Sequence, residues 1–145
     1  MPILTTAMAL SLAAADPIPD RWITAVEQIE SNGRNIRGDA GKAQGVMQFH
    51  KDCWSDCSKK RKAAGLKTYP YSKAKDPVIA REYAGFWLSY LRGVITAKIG
   101  RPALLGETWL AYNLGVEGFG KYHYSMSLVP EDKYIKAAKL QLWIK

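Results

Sequence analysis

The stretch from Trp22 to Gly33, Trp-Ile-Thr-Ala-Val-Glu-Gln-Ile-Glu-Ser-Asn-Gly, constrains this chain more than any other. Trp22, Val26 and Glu30 recur at i, i+4 and i+8, with Ile23 and Ile29 beside them. The spacing predicts an amphipathic helix that carries a glutamate on or beside its buried stripe. Asp20 is placed to cap the start, and Asn32-Gly33 supplies the stop. Glu30 then falls in the last turn, partly desolvated and near the negative end of the helix dipole. Both effects disfavour the carboxylate and raise its pKa. A carboxylic acid kept protonated near neutral pH is what a general acid requires. The plain alternative is a glutamate that only lines a helix end and snorkels to water.

With 145 residues, 48% of them hydrophobic, the chain suits one domain with one core and lies outside the disordered regime. Its formal net charge of +8 suits an anionic partner: nucleic acid, anionic lipid or bacterial cell wall. Nucleic-acid binding wants Lys and Arg lined up on one helix face, whereas the densest basic run here, Ser58 to Lys75, reads as a surface loop around Tyr69-Pro70-Tyr71. That stretch is either a cationic, aromatic lip for a polymer or a solvated loop. No recognition helix stands out, so no nucleic-acid partner is expected, and a monomer is. Residues 1–19 begin with an apolar run, Met1 to Ala15, too short to span a bilayer. Ala13-Ala14-Ala15 resembles a signal-peptidase site, but no Lys or Arg precedes it. A helix packing Ile3, Leu4, Met8 and Leu12 onto the core is the other reading, and the export route stays open. Cys53 and Cys57 are four apart: on one helix face a disulfide is awkward, in a loop it is easy. Zinc would have to add His50 and a further ligand such as His123. Free thiols remain the simplest arrangement, and neither a metal nor a cofactor is expected.

Punctuation along the rest of the chain reads as helices. Gly33, Gly38 and Gly41 mark an irregular loop to Gln44 with room for a small hairpin, and Gly45 to Asp56 is expected to be helical. Asp76-Pro77 is a helix start, followed by Ile79, Tyr83, Phe86, Trp87, Tyr90 and Val94 as a core stripe. Pro102 opens a helix in which Leu105, Trp109 and Tyr112 share a face, and Gly115 ends it. Gly118 to Tyr124 reads as a loop. Glu131-Asp132 start a last helix, packing Ile135, Ala138 and Leu142. The expected fold is mainly α: a single domain over residues 1–145, with five to seven helices around the Glu30 helix and at most a small hairpin.

Three short patches stand in series: Glu30-Ser31, Gly45-Val46-Met47-Gln48 and Ala111-Tyr112-Asn113-Leu114-Gly115. Their order and spacing resemble the catalytic domain of the lytic transglycosylases, lysozyme-like enzymes that cleave peptidoglycan, and of the related goose-type lysozymes. The resemblance runs from about Asp20 to the C-terminus. It implies a lysozyme-like domain in which Glu30 is the acid and Tyr112 hydrogen-bonds and orients it. Ser31, Gln48 and Asn113 are then polar contacts for acetamido sugars, Met47 an apolar wall, and Gly45 and Gly115 points of close backbone approach. The stretch from Gln48 to Asp76 is longer and more basic than in that family, and Leu114 stands where a smaller residue is usual.

The resemblance also implies the reaction. Glu30 protonates the β-1,4 bond between MurNAc and GlcNAc, the N-acetyl group assists, and glutamate then takes the proton of the muramic C6 hydroxyl to give a 1,6-anhydro product. An inverting hydrolase instead needs a second carboxylate roughly 6.5–9.5 Å away to activate water. Asp39 is the nearest candidate, ahead of Asp52, Asp56, Glu82 and Glu107. The expected partner is the peptidoglycan strand, met at the bacterial cell wall in the periplasm, at the cell surface or delivered from a virion. Two alternatives are a hydrolytic lysozyme on the same scaffold and a catalytically silent glycan-binding module.

Overall fold

The computed structural model describes residues 17–144. The expected packing of Ile3, Leu4, Met8 and Leu12 lies outside them. Among the described residues the chain is mainly helical, with α1 (Asp20–Ser31), α2 (Lys51–Ala63), α3 (Pro77–Ile99), α4 (Leu105–Leu114), α5 (Val116–Gly120) and α6 (Glu131–Trp143). A small antiparallel sheet joins β1 (Arg37–Gly38), β2 (Ala43–Gln44) and β3 (Phe49–His50) in that order. Arg37 pairs with Gln44 and Ala43 with His50. No described helix is long and apolar enough to cross a membrane.

Helix α1 buries Trp22, Ala25, Val26 and Ser31, and Asn32 ends it at φ 56° with its N–H donating to the Gln28 carbonyl. Glu30 sits one turn beyond Val26 on that face. The start differs from expectation. Pro19 is the N-cap and Asp20 the first helical residue, without a capping bond. The Asp20 carboxylate instead meets the Arg81 guanidinium at 3.0 Å, and the same guanidinium reaches Glu27 at 3.0 Å. One arginine of α3 thus clamps the outer face of α1.

The expected helix from Gly45 is a tight turn followed by β3, and α2 begins only at Lys51. Gly45 at φ 80° and Gln48 at φ 52° explain this, because a right-handed helix admits no residue there. At its other end α2 runs on through the basic run to Ala63, where a loop was expected. Cations in the last turn of a helix face its negative end. Arg61 is itself buried: it donates to the Lys67 carbonyl at 3.0 Å and to Glu82 at 2.9 Å, with its guanidinium 4.8 Å from the centre of the Tyr83 ring. Tyr69 and Tyr71 are pillars and not a lip. Trp54 donates to the Tyr69 carbonyl at 2.8 Å and Tyr71 to the Phe49 carbonyl at 2.6 Å.

Asp76 caps α3 as expected, accepting from the Val78 and Ile79 N–H groups at 2.9 and 3.2 Å, with Pro77 in the first turn. The fully buried face of α3 runs through Ala80, Tyr83, Ala84, Leu88, Leu91 and Ile95, leaving Phe86, Trp87 and Tyr90 half-buried at its flank. Helix α4 is the most enclosed element, buried at every residue from Leu105 to Ala111. It starts three residues after Pro102, which lies outside it. Gly118, Phe119 and Gly120, expected in a loop, belong to α5. Helix α6 turns a different face inward from the one expected: Ala137 and Leu140 are buried, whereas Ile135 and Leu142 are exposed. The cause is close contact with α4, where a side chain on Gly106 would strike the Ala137 carbonyl. Gln141 accepts the Gly106 N–H at 2.6 Å.

Gly45 holds the hairpin against the segment before α3. At φ 80° it is in left-handed territory, and a Cβ there would fall on the Ala74 carbonyl oxygen. Gly45→Ala is therefore expected to lower the unfolding free energy by about 2 kcal/mol or more, read by urea denaturation followed by circular dichroism.

Candidate active site

The three sequence patches meet at two adjacent buried carbonyls. Ser31, at the end of α1, donates its hydroxyl to the Val46 carbonyl at 2.7 Å. Tyr112, in the last turns of α4, donates to the Met47 carbonyl at 2.6 Å. The Gly45–Gln48 turn is thereby pinned from both sides. Gln48 closes it with side-chain bonds to the Ile36 and Gly45 carbonyls at 3.0 and 2.9 Å.

Glu30 faces a cavity of about 400 Å³ whose wall includes Asp39, Gln48, Tyr112, Asn113 and Lys133. Burial is the main influence on its carboxyl and pushes the pKa up to about 7 from 4.5. Lys136 and Lys133 on α6 pull the other way, as does the Trp109 indole N–H of α4. That buried N–H makes no hydrogen bond of ordinary length among the described residues. The acid is poised between its two forms at neutral pH, as position and burial in α1 predict.

Tyr112 does not spend its proton on Glu30, as expected from the resemblance, but on Met47. It is nevertheless close enough to feel the carboxylate. Burial first, then the Glu30 charge, hold the phenol well above its ordinary pKa. With its proton given away, the Tyr112 oxygen can accept only, and only the protonated acid can donate to it.

Gln48 and Asn113 line the cavity, whereas Ser31, Gly45 and Met47 are buried behind it. Their part is to build the turn. Asp39 is on the wall at φ 50°, its carboxylate 3.1 Å from His50 Nε2. The other carboxylates considered are elsewhere: Glu107 is buried in a two-pronged pair with Arg101 at 2.9 and 2.7 Å, and Glu82 is held by Arg61. Trp109, Lys133 and His50 join the site without having been expected there. Trp109 stands one turn before Tyr112 on the shared face, a usable signal; nothing local marks Lys133.

Gln48, His50, Tyr112, Asn113 and Leu114 also form part of a second, larger trough of about 970 Å³ that runs between α2, α3 and α5. The Glu30 cavity and this trough share a wall and together make a groove with the acid near one end. Both cysteines lie on α2 and are free. Burial pushes the Cys53 thiol up to about 12, aided by Asp56, and raises Cys57 too. Among the described residues no group of three or more His, Cys, Asp or Glu is arranged to hold a metal ion.

Comparison with protein-family models, with curated protein sequences and with solved structures finds no match to this chain.

Because Glu30 binds its proton more tightly in the folded chain, ionising it opposes folding. The penalty is absent below about pH 4.5, grows as pH rises and is complete above about pH 7. Glutamine cannot ionise. Glu30→Gln is expected to stabilise the fold at pH 8 by about 1–3 kcal/mol and to leave it nearly unchanged at pH 4, measured as paired denaturation curves.

Proposed function

We propose that this chain cleaves the β-1,4 MurNAc–GlcNAc bond of bacterial peptidoglycan, with Glu30 as the only acid and base, to give 1,6-anhydromuramic ends. It would accordingly act at the bacterial cell wall. The observation that carries the reading is the half-buried Glu30 carboxyl, its pKa raised to about 7, on the wall of a cavity that adjoins the larger trough. Cutting a glycosidic bond needs a proton on the leaving oxygen and a place for a developing oxocarbenium ion. Protonated Glu30 supplies the first, and its conjugate base then offers a negative charge beside the second. The N-acetyl oxygen of the muramic ring closes on C1 as the bond to the GlcNAc oxygen breaks. Glutamate then withdraws the C6 hydroxyl proton, O6 bonds C1, the N-acetyl group is released, and the enzyme recovers its acid. Gln48 and Asn113, on the wall of the cavity, would meet the acetamido groups. The resemblance of the three patches to lytic transglycosylases supports the same reading.

A hydrolytic variant is favoured by one observation, Asp39 on the wall of the same cavity. In it Asp39 activates water, which attacks C1 in place of O6. Mass spectrometry of muropeptides released from purified peptidoglycan separates the two: anhydromuramic ends support the lyase, and reducing muramic ends support hydrolysis. Glu30→Gln should lower turnover by at least about a hundredfold in either case. Since the proton donor must be protonated, kcat/KM should fall as pH rises through about 7, assayed on the same substrate. A Glu30→Gln protein that releases muropeptides as fast as its parent excludes both chemistries.

A further inference from the structure

The chain leading into β1 and the chain leading into α3 lie side by side. Asn35 donates its side-chain amide to the Lys75 carbonyl at 2.6 Å, and the Gly45 N–H donates to the Ile36 carbonyl at 3.0 Å. Tyr71 reaches the Lys42 carbonyl at 3.3 Å. These bonds gather five exposed cations: Arg34, Arg37 and Lys42 from the hairpin side, Lys73 and Lys75 from the segment before α3. Arg37 is close enough to Tyr71 for its charge to act on the phenol. None of the five lines the Glu30 cavity or the larger trough.

Nor is any of the five in an ion pair among the described residues. Carboxylates alongside them are engaged: Asp39 with His50 at 3.1 Å, Glu27 with Arg81 at 3.0 Å, and Asp76 with the first N–H groups of α3. Like charges held together repel, and an anionic partner removes that cost. Charge alone does not name the partner, but the apolar side chains among the cations do. Ile36, next to Asn35, is 37% exposed. Val78, one turn after Lys75, is 76% exposed, more than any other large apolar side chain among the described residues. A soluble polyanion such as nucleic acid would leave both in water. A bilayer interface takes cations at its phosphates and apolar tips at the acyl boundary.

We infer that this face docks on an anionic phospholipid bilayer. Arg34, Arg37, Lys42, Lys73 and Lys75 lie at the headgroup phosphates, and Ile36 and Val78 enter the acyl boundary. None of these seven side chains lines either cavity, so docking leaves the groove unoccupied.

Co-sedimentation of the full chain with vesicles tests this without any cleavage, so it stands apart from the reading of Glu30. Vesicles of phosphatidylcholine are compared with vesicles carrying about one-third phosphatidylglycerol. The anionic vesicles should bind at least about tenfold more tightly, and less so as salt is raised. Lys73→Glu/Lys75→Glu should lower that binding at least about tenfold, and Val78→Ser about threefold or more. Arg34→Gln/Arg37→Gln replaces the double lysine variant if circular dichroism shows the latter unfolded. Equal binding to the two vesicle types overturns the inference. So does anionic-vesicle binding that no variant lowers, which would assign it to the apolar run Met1 to Ala15. Duplex DNA is titrated at the same salt. Tighter binding to DNA than to anionic vesicles, with Val78→Ser altering neither, gives the cations to a soluble polyanion and overturns it too.

Discussion

Two neighbouring peptide carbonyls, those of Val46 and Met47, hold this site together. Each is buried, and each accepts one hydroxyl from a different helix, Ser31 of α1 at 2.7 Å and Tyr112 of α4 at 2.6 Å. A buried carbonyl left without a donor costs about 1–3 kcal/mol, so the turn, α1 and α4 are specified jointly. The turn cannot relax into a helix, because Gly45 and Gln48 hold left-handed dihedrals at its two ends. Glu30, next to Ser31, is fixed in place by the same bond. The acid thus owes its position to residues that never face the groove.

The fold class and the helix bearing Glu30 were legible because both depend on local pattern. The stripe Trp22, Val26, Glu30 and the stops at Asn32 and Gly115 need only nearest neighbours along the chain. Less legible were the features decided by contact. The inward face of α6 is set by Gly106 meeting Ala137, two residues far apart in sequence, and Ile135 and Leu142 were misplaced for that reason. Helix α2 extends into the basic run because Arg61 finds Glu82 and the Tyr83 ring, partners that no local pattern reveals. Ser31 and Met47 were expected to face a sugar and are instead buried behind the cavity, as masonry. A motif records which residues are needed, not whether they face the groove or the framework behind it.

Burial and the α6 lysines act on Glu30 in opposite directions, and their balance decides what the carboxyl can do. Burial alone would carry the pKa further up and leave a permanently protonated acid, able to donate but slow to release its proton. Lys133 and Lys136 bring it back to about 7, together with the Trp109 N–H. A group with that value gives up a proton and reclaims one with nearly equal ease, as a residue acting first as acid and then as base requires. The two lysines also place positive charge beside the cavity. Tyr112 gives its proton to the Met47 carbonyl, and its phenol still feels the charge of Glu30. A carboxyl held between burial on one side and two cations of the neighbouring helix on the other is stabilised in neither state at the expense of the other.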